Sequence, residues 1–252
     1  MRRHEGKVAL CAGSATGMGA AAALRLAREG AKVVIGDVNQ KAAQSVIDQI
    51  VAEGGEGLAV EFDIVEEESV KSLVGQTVAR FGRLDGLHVN ATDRKLNNQD
   101  FDLLTTDLAV FDRLHKVSLR GHLLCSRYAV PEMLKVGGGA IVYTSSDASK
   151  GAAPSKMSYY IAKAGLNGLM RHVAIRYGRE GIRANCICPG IIMTEAVLTN
   201  TSEQMRADAL QRIPSTRLGD VEDIATLTAF LLSDEAGWIN GQAISVSGGS
   251  VM

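Results

Sequence analysis

The strongest constraint in this chain is a rhythm. Short apolar runs at residues 7–12, 31–37, 57–63, 84–91, 140–146, 183–188 and 243–246 have the length and bounds of strands. Between them, residues 20–28, 41–53, 66–81, 107–135, 157–179 and 221–232 carry helical spacing. Gly30, Gly54-Gly55 and the run Gly137, Gly138, Gly139 supply stops. Strands separated by helices of this length join in parallel, because a crossover needs a dozen or more residues. Runs that are apolar on both faces fit a sheet covered by helices on both sides.

No internal repeat or low-complexity linker interrupts the pattern. The expectation is α/β: one Rossmann-type doubly wound parallel sheet, a single domain over residues 1–252. Two stretches break the rhythm. Residues 92–105 are polar and irregular, and residues 191–212 are polar and partly helical.

Composition narrows the functional classes. The chain has 252 residues, is 46% hydrophobic and 22% charged, and carries a formal net charge of −1. That balance suits a protein with a core and gives no basic stripe for nucleic acid or an anionic membrane. The N-terminus has no signal-peptide pattern, and no window approaches the ~20 apolar residues of a membrane span. A cytoplasmic protein is expected. Cys11, Cys125, Cys186 and Cys188 lack partners at zinc spacing, so they read as core thiols in a reducing compartment and no metal is expected. His88, His115, His122 and His172 are scattered and read as packing or surface residues.

Residues 12–19 read A-G-S-A-T-G-M-G, between the first strand and the first helix. Glycine permits a tight turn and close approach of backbone to a pyrophosphate, which the free N–H groups of a helix start can bind. An ordinary tight turn needs the same residues, but position at the first strand–helix junction favours dinucleotide binding. Asp37 closes the second strand, where a carboxylate accepts both adenosine ribose hydroxyls and repels a 2′-phosphate. Thr16 and Val38 stand where a phosphate-binding cation could sit. NAD is therefore expected over NADP. The alternative for Asp37 is a turn or cap carboxylate before the next helix. Asp63, ending the third strand, has a similar pair of readings: an adenine contact or a cap for the following helix.

Residues 158–165 read S-Y-Y-I-A-K-A-G. Tyr159 and Lys163 are at i and i+4 and share a helix face. A free phenol has a pKa of about 10, too high for base chemistry at neutral pH, and a neighbouring ammonium lowers it. Tyr160, three residues from Lys163, competes for the role. Ser146 ends the preceding strand, on the side where parallel sheets bind ligands, and its hydroxyl could hydrogen-bond a developing alkoxide. Ser145 is adjacent, and strand alternation predicts that only one of the two faces the crevice.

Together these residues resemble the classical short-chain dehydrogenases/reductases over nearly the whole chain, from Gly6-Lys7 to Gly248-Gly249. The family's T-G-x-x-x-G-x-G is similar to Ala12-Gly13 through Gly17 and Gly19. Its Tyr-x-x-x-Lys matches Tyr159 and Lys163, which selects Tyr159 over Tyr160, and its catalytic serine matches Ser146. The resemblance implies cofactor contacts at Gly13, Ser14, Thr16, Gly17, Met18, Gly19, Asp37, Val38, Asp63, Ile64, Asn90, Ala91, Tyr159, Lys163, Pro189, Gly190, Ile192 and Thr194. It implies catalytic roles for Tyr159 (acid/base), Lys163, Ser146 and Ser118.

Three positions depart from the family pattern. Ala12 replaces a threonine. Thr92 replaces a glycine after Asn90-Ala91. Ser118 replaces the asparagine that holds a proton-relay water, a task serine can also perform.

The activity implied is interconversion of a secondary alcohol and a ketone with NAD. The family's enoyl reductases space Tyr and Lys more widely, and its acyl-chain 3-ketoacyl reductases mostly use NADPH, which Asp37 opposes. A non-catalytic dinucleotide-binding sensor is the remaining alternative. Residues 191–212 resemble the family's substrate loop, with Ala196, Val197, Leu198 and Met205 as apolar wall or as packing. The family also implies a homotetramer or homodimer built on the two long helices, where Leu114, Leu123, Leu166 and Met170 serve core, interface or both.

Overall fold

The computed structural model describes residues 2–93 and 95–251, with Asn97 described in its backbone only. Seven strands form one parallel sheet: β1 (Val8–Ala12), β2 (Lys32–Asp37), β3 (Gly57–Glu61), β4 (Gly86–Val89), β5 (Gly139–Thr144), β6 (Ile182–Pro189) and, last in the chain, β9 (Ala243–Val246). Their spatial order is β3-β2-β1-β4-β5-β6-β9. Chain direction across the sheet reverses between β1 and β4, and such a switch point opens a crevice at the strand C-termini. A separate two-residue pair, β7 (Ile192–Met193) with β8 (Gly219–Asp220), lies outside the main sheet.

Strand periodicity sorts the core into two layers. Leu10, Val34, Leu87, Ile141 and Tyr143 face one way, against α3 (Glu67–Phe81), α5 (Gly121–Lys135) and α6 (Met157–Tyr177). Ala9, Cys11, Val33, Ile35, Ala140 and Val142 face the other, against α1 (Gly17–Arg28), α2 (Gln40–Ala52) and α9 (Val221–Leu232). Successive residues thus feed opposite layers, as the pleat demands. Each fully buried Leu or Ile contributes about 1.5–3 kcal/mol. Both faces of the sheet are covered, which is why its strands read as continuous apolar runs. Among the described residues no helix is long and apolar enough to cross a membrane.

The predicted helix over residues 107–135 runs unbroken from Leu108 to Lys135 but is not α-helical throughout. It consists of α4 (Leu108–His115), a π-helical turn at Lys116–Arg120, and α5. Two contacts accompany the turn. The His122 ring lies 3.3 Å from the Val117 carbonyl. Gly121 is pressed against Ile64, where a Cβ would come within 2.5 Å of Ile64 Cγ1. Single π turns inside helices concentrate at functional sites, and this one contains Ser118. Residues 191–212 resolve into β7 and two short helices, α7 (Glu195–Asn200) and α8 (Glu203–Gln211).

Candidate active site

The C-terminal ends of the strands surround a cleft of about 680 Å³. At one end lies the glycine-rich turn. Gly13 and Gly17 have φ of +72° and +56°. The glycines serve different ends. A Cβ on Gly13 would lie 2.5 Å from Ala91 Cα, and one on Gly19 would lie 2.6 Å from Ser14 Cα, so these two let the turn press on the chain after β4. Gly17 meets nothing nearer than 3.4 Å and lines the cleft. Asn90 fastens the same turn, its Nδ2 donating to the Gly13 carbonyl at 2.9 Å. Thr16, at the cap position of α1, makes no side-chain capping bond. The first N–H groups of α1 are therefore left for another acceptor.

Asp37 ties the second strand to this turn. Its Oδ2 accepts the Ala15 N–H at 3.0 Å and its Oδ1 accepts the Asn39 N–H at 2.9 Å. Each carboxylate oxygen has a further lone pair, and the residue lines the cleft. Asn39 holds the cap position of α2, so Asp37 is not a cap, but its bond to the Asn39 N–H is the turn contact that the alternative reading named, and it is made alongside the place of Asp37 on the cleft. Asp63 likewise accepts Val65 N–H in a turn at 3.1 Å, while Glu66 holds the cap position of α3.

At the other end, the first turn of α6 brings Tyr159 to the cleft wall, and Tyr160 is absent from that wall. Lys163 is 2% exposed, and its ammonium donates to the Thr144 carbonyl at 2.7 Å. Its Nζ stands 5.8 Å from the centroid of the Tyr159 ring. Burial pulls the Lys163 pKa down to about 8, against an opposing contribution from Cys186 and Cys188.

Strand β5 ends at Thr144, so alternation no longer separates the two serines and both touch the cleft. Their hydroxyls differ. Ser145 Oγ donates to the Lys163 carbonyl at 3.2 Å, while Ser146 Oγ accepts the Ala148 N–H at 3.1 Å and keeps its own proton to donate.

Four predicted site residues do not line the cleft: Ser14, Gly19, Ser118 and Thr194. Ser14 is fully buried under the turn, and Gly19 is a packing glycine. Thr194 is 3% exposed and caps α7, accepting the Val197 N–H at 3.3 Å. Ser118 is fully buried, with Oγ 3.3 Å from Thr92 Oγ1. Thr92 itself lines the cleft.

Of the apolar residues expected in the substrate loop, Val197 reaches the cleft, whereas Leu198 and Met205 are exposed away from it. Asp93, Lys95 and Arg113 add a charged wall for which the sequence held no recognisable spacing signal. Two of the scattered histidines also prove relevant. His88 Nε2 lies 2.9 Å from Thr144 Oγ1, on the residue that holds Lys163. His122 is kept neutral by burial and then by the nearby Lys163 charge.

Comparison with known proteins agrees with this geometry. A family model described as "Enoyl-(Acyl carrier protein) reductase" matches residues 12–250. A probable short-chain type dehydrogenase/reductase of Bradyrhizobium diazoefficiens is 41% identical over 99% of this chain and 89% of its own length. A 7alpha-hydroxysteroid dehydrogenase of Clostridium sardiniense is 36% identical over 99% and 95%. A solved 7 alpha-hydroxysteroid dehydrogenase, complexed with NADH and 7-oxo glycochenodeoxycholic acid, superposes with a TM-score of 0.93 at 34% identity, over 99% of this chain and 96% of that one. The fold and cleft are those of an oxidoreductase. The chain belongs to the short-chain dehydrogenase/reductase family.

Proposed function

We propose that this protein is an NAD-dependent oxidoreductase that interconverts a secondary alcohol and a ketone, with Tyr159 as acid/base. What carries the reading is the convergence of Tyr159, Lys163 and Ser146 in the same cleft as Asp37 and the glycine-rich turn.

The residues fit the cofactor. The start of α1 lacks a capping side chain, Gly17 leaves room beside it, and Asn90 Oδ1 is buried at the cleft without a hydrogen-bond partner. Uncapped N–H groups would hold the pyrophosphate, and Asp37 the adenosine ribose. When bound, NAD accepts the hydride from the alcohol carbon, or in reduced form supplies it to the ketone.

The protein's own groups handle the proton. Tyr159 takes it from the alcohol oxygen or returns it to the ketone oxygen. The Lys163 ammonium, fixed by the Thr144 carbonyl, favours the phenolate. Ser146 donates to the substrate oxygen, where charge develops. A Tyr and Lys one helical turn apart also favour carbonyl chemistry over enoyl reduction.

The relatives named for 7α-hydroxysteroids support a cyclic secondary alcohol as substrate, and Ile191, Ile192 and Val197 give the cleft an apolar side for it. A panel of secondary alcohols, bile acids included, incubated with NAD or NADP and followed by reduced-nicotinamide absorbance, tests the reading. Turnover is expected with NAD, and Tyr159→Phe is expected to lose roughly a hundredfold or more. Cofactor binding without turnover on every substrate would favour the sensor. Preference for NADPH with an acyl thioester would favour the ketoacyl reductase.

A further inference from the structure

Helix α6 starts without a cap of its own. The cap position holds Lys156, which sits in the left-handed region with φ of 64° and makes no side-chain capping bond. A lysine has no acceptor to offer the first N–H groups, and its charge opposes the positive end of the helix. The missing acceptor comes from the irregular stretch after β4. Asp100 Oδ1 accepts the Ser158 N–H at 3.1 Å and the Ser158 hydroxyl at 2.7 Å. Asp100 Oδ2 accepts the Tyr159 N–H at 2.9 Å. The Asp100 main-chain carbonyl accepts the Lys156 N–H at 3.0 Å. Asp100 is 2% exposed and Ser158 is fully buried.

We propose that Asp100 is a positioning residue for Tyr159: a cap supplied from a distant loop, which fixes where the first turn of α6 holds the phenol. The same stretch walls the cleft through Thr92, Asp93 and Lys95. One loop therefore shapes the substrate side and sets the acid/base. A carboxylate is the group that fits, because its two oxygens serve two successive N–H donors and a hydroxyl. An amide in its place turns an NH₂ toward one of those donors.

The inference rests on Tyr159 being the acid/base, so Tyr159→Phe is measured alongside. For Asp100→Asn, kcat is expected to fall on the order of tenfold to a hundredfold, as for a small misplacement of a reacting group. NADH affinity by fluorescence titration is expected to stay within about twofold, since no cofactor contact is removed. Asp100→Glu restores part of kcat. Ser158→Ala, which deletes one of the bonds from a buried site at little change in volume, gives a smaller loss of kcat and serves if Asp100→Asn does not fold.

Wild-type kcat in Asp100→Asn, or in Ser158→Ala where only that variant folds, overturns the proposal. So does a loss of kcat matched by an equal loss of NADH affinity, which marks general disruption. If Tyr159→Phe retains turnover, the acid/base reading itself has failed. Loss in Tyr159→Phe with none in the Asp100 variants isolates the failure to the cap.

Discussion

Thr92 Oγ1 lies 3.3 Å from Ser118 Oγ, so two positions at which this chain departs from its family's pattern touch each other. Ser118 is fully buried inside the π turn and does not line the cleft, whereas Thr92 does. Restoring the family's asparagine at 118 alone forces a larger polar side chain against Thr92, and overpacking of this kind costs about 1–3 kcal/mol. Ser118→Asn is therefore expected to lower both Tm and kcat. Thr92→Gly leaves the Ser118 hydroxyl without this partner and costs about 1 kcal/mol. The double variant, with room made for the larger group, recovers most of both losses. A four-member cycle of kcat and Tm measures this coupling, and strictly additive effects would show that the two hydroxyls do not act together.

Asp37 has two jobs in the structure, and its substitution separates them. Its oxygens hold the N–H groups of Ala15 and Asn39, and it lines the cleft. Asp37→Ala removes charge-assisted acceptors worth about 1.5–3 kcal/mol each, so NADH affinity is expected to drop roughly tenfold to a hundredfold. The ratio of NADPH to NADH affinity rises, because the repulsion of a 2′-phosphate is gone. A fluorescence titration with both dinucleotides reads the ratio, and an unchanged preference would remove Asp37 from the ribose site.

The parallel sheet was legible because each strand and helix signal is local: a run of apolar residues, a glycine stop, a helical period. Residues 221–232 and 243–246 emerge with the bounds the sequence predicts. The placing of Tyr159, Lys163 and Asp37 on one cleft was legible by different routes: an i, i+4 spacing with a family resemblance that chose Tyr159 over Tyr160, and the position of Asp37 at the end of the second strand. Long-range contacts were not. Nothing in the sequence around Asp100 pairs it with Ser158 and Tyr159, since that pairing depends on how the loop folds back over α6. The π turn at Ser118 was hidden for a similar reason: its surroundings include contact with Ile64 on another element. Gly19 carries a packing demand that the motif alone did not reveal, since a Cβ there would press on Ser14 and Asn90.

Buried histidines make stability depend on pH in a defined direction. Burial lowers the His88 pKa from 6.5 to about 4. The unfolded chain binds a proton near pH 6.5 while the folded one does not until near pH 4. Unfolding free energy is therefore full above pH 6.5 and is lost as pH falls toward 4, by about 3 kcal/mol from this residue. His122, also lowered, acts in the same direction. Chemical denaturation at pH 7.5, 6, 5 and 4.5 should show a steeper acid loss in the wild type than in His88→Leu, whatever the variant's stability at neutral pH. Equal slopes would mean that His88 does not titrate between the two states.

Assembly is the last expectation the surface supports. Leu114, Leu166 and Met170 are fully buried within one chain, so they serve the core and leave nothing for a partner. Leu108, Leu123, Ile161 and Ile175 lie on α4, α5 and α6 and are 44–85% exposed, Ile175 most of all. Scattered exposed leucines are ordinary, but several on adjoining long helices mark a surface that gains from being covered. We expect a homodimer or homotetramer built on these helices, with a mass in light scattering that is a multiple of the 26.7 kDa chain. Leu123→Glu with Ile175→Glu places charges in that surface and should shift the protein to a smaller species while changing the unfolding free energy of the single chain by no more than about 1 kcal/mol, as surface changes usually do. A wild type that scatters as a monomer at micromolar concentration would leave those side chains as plain surface.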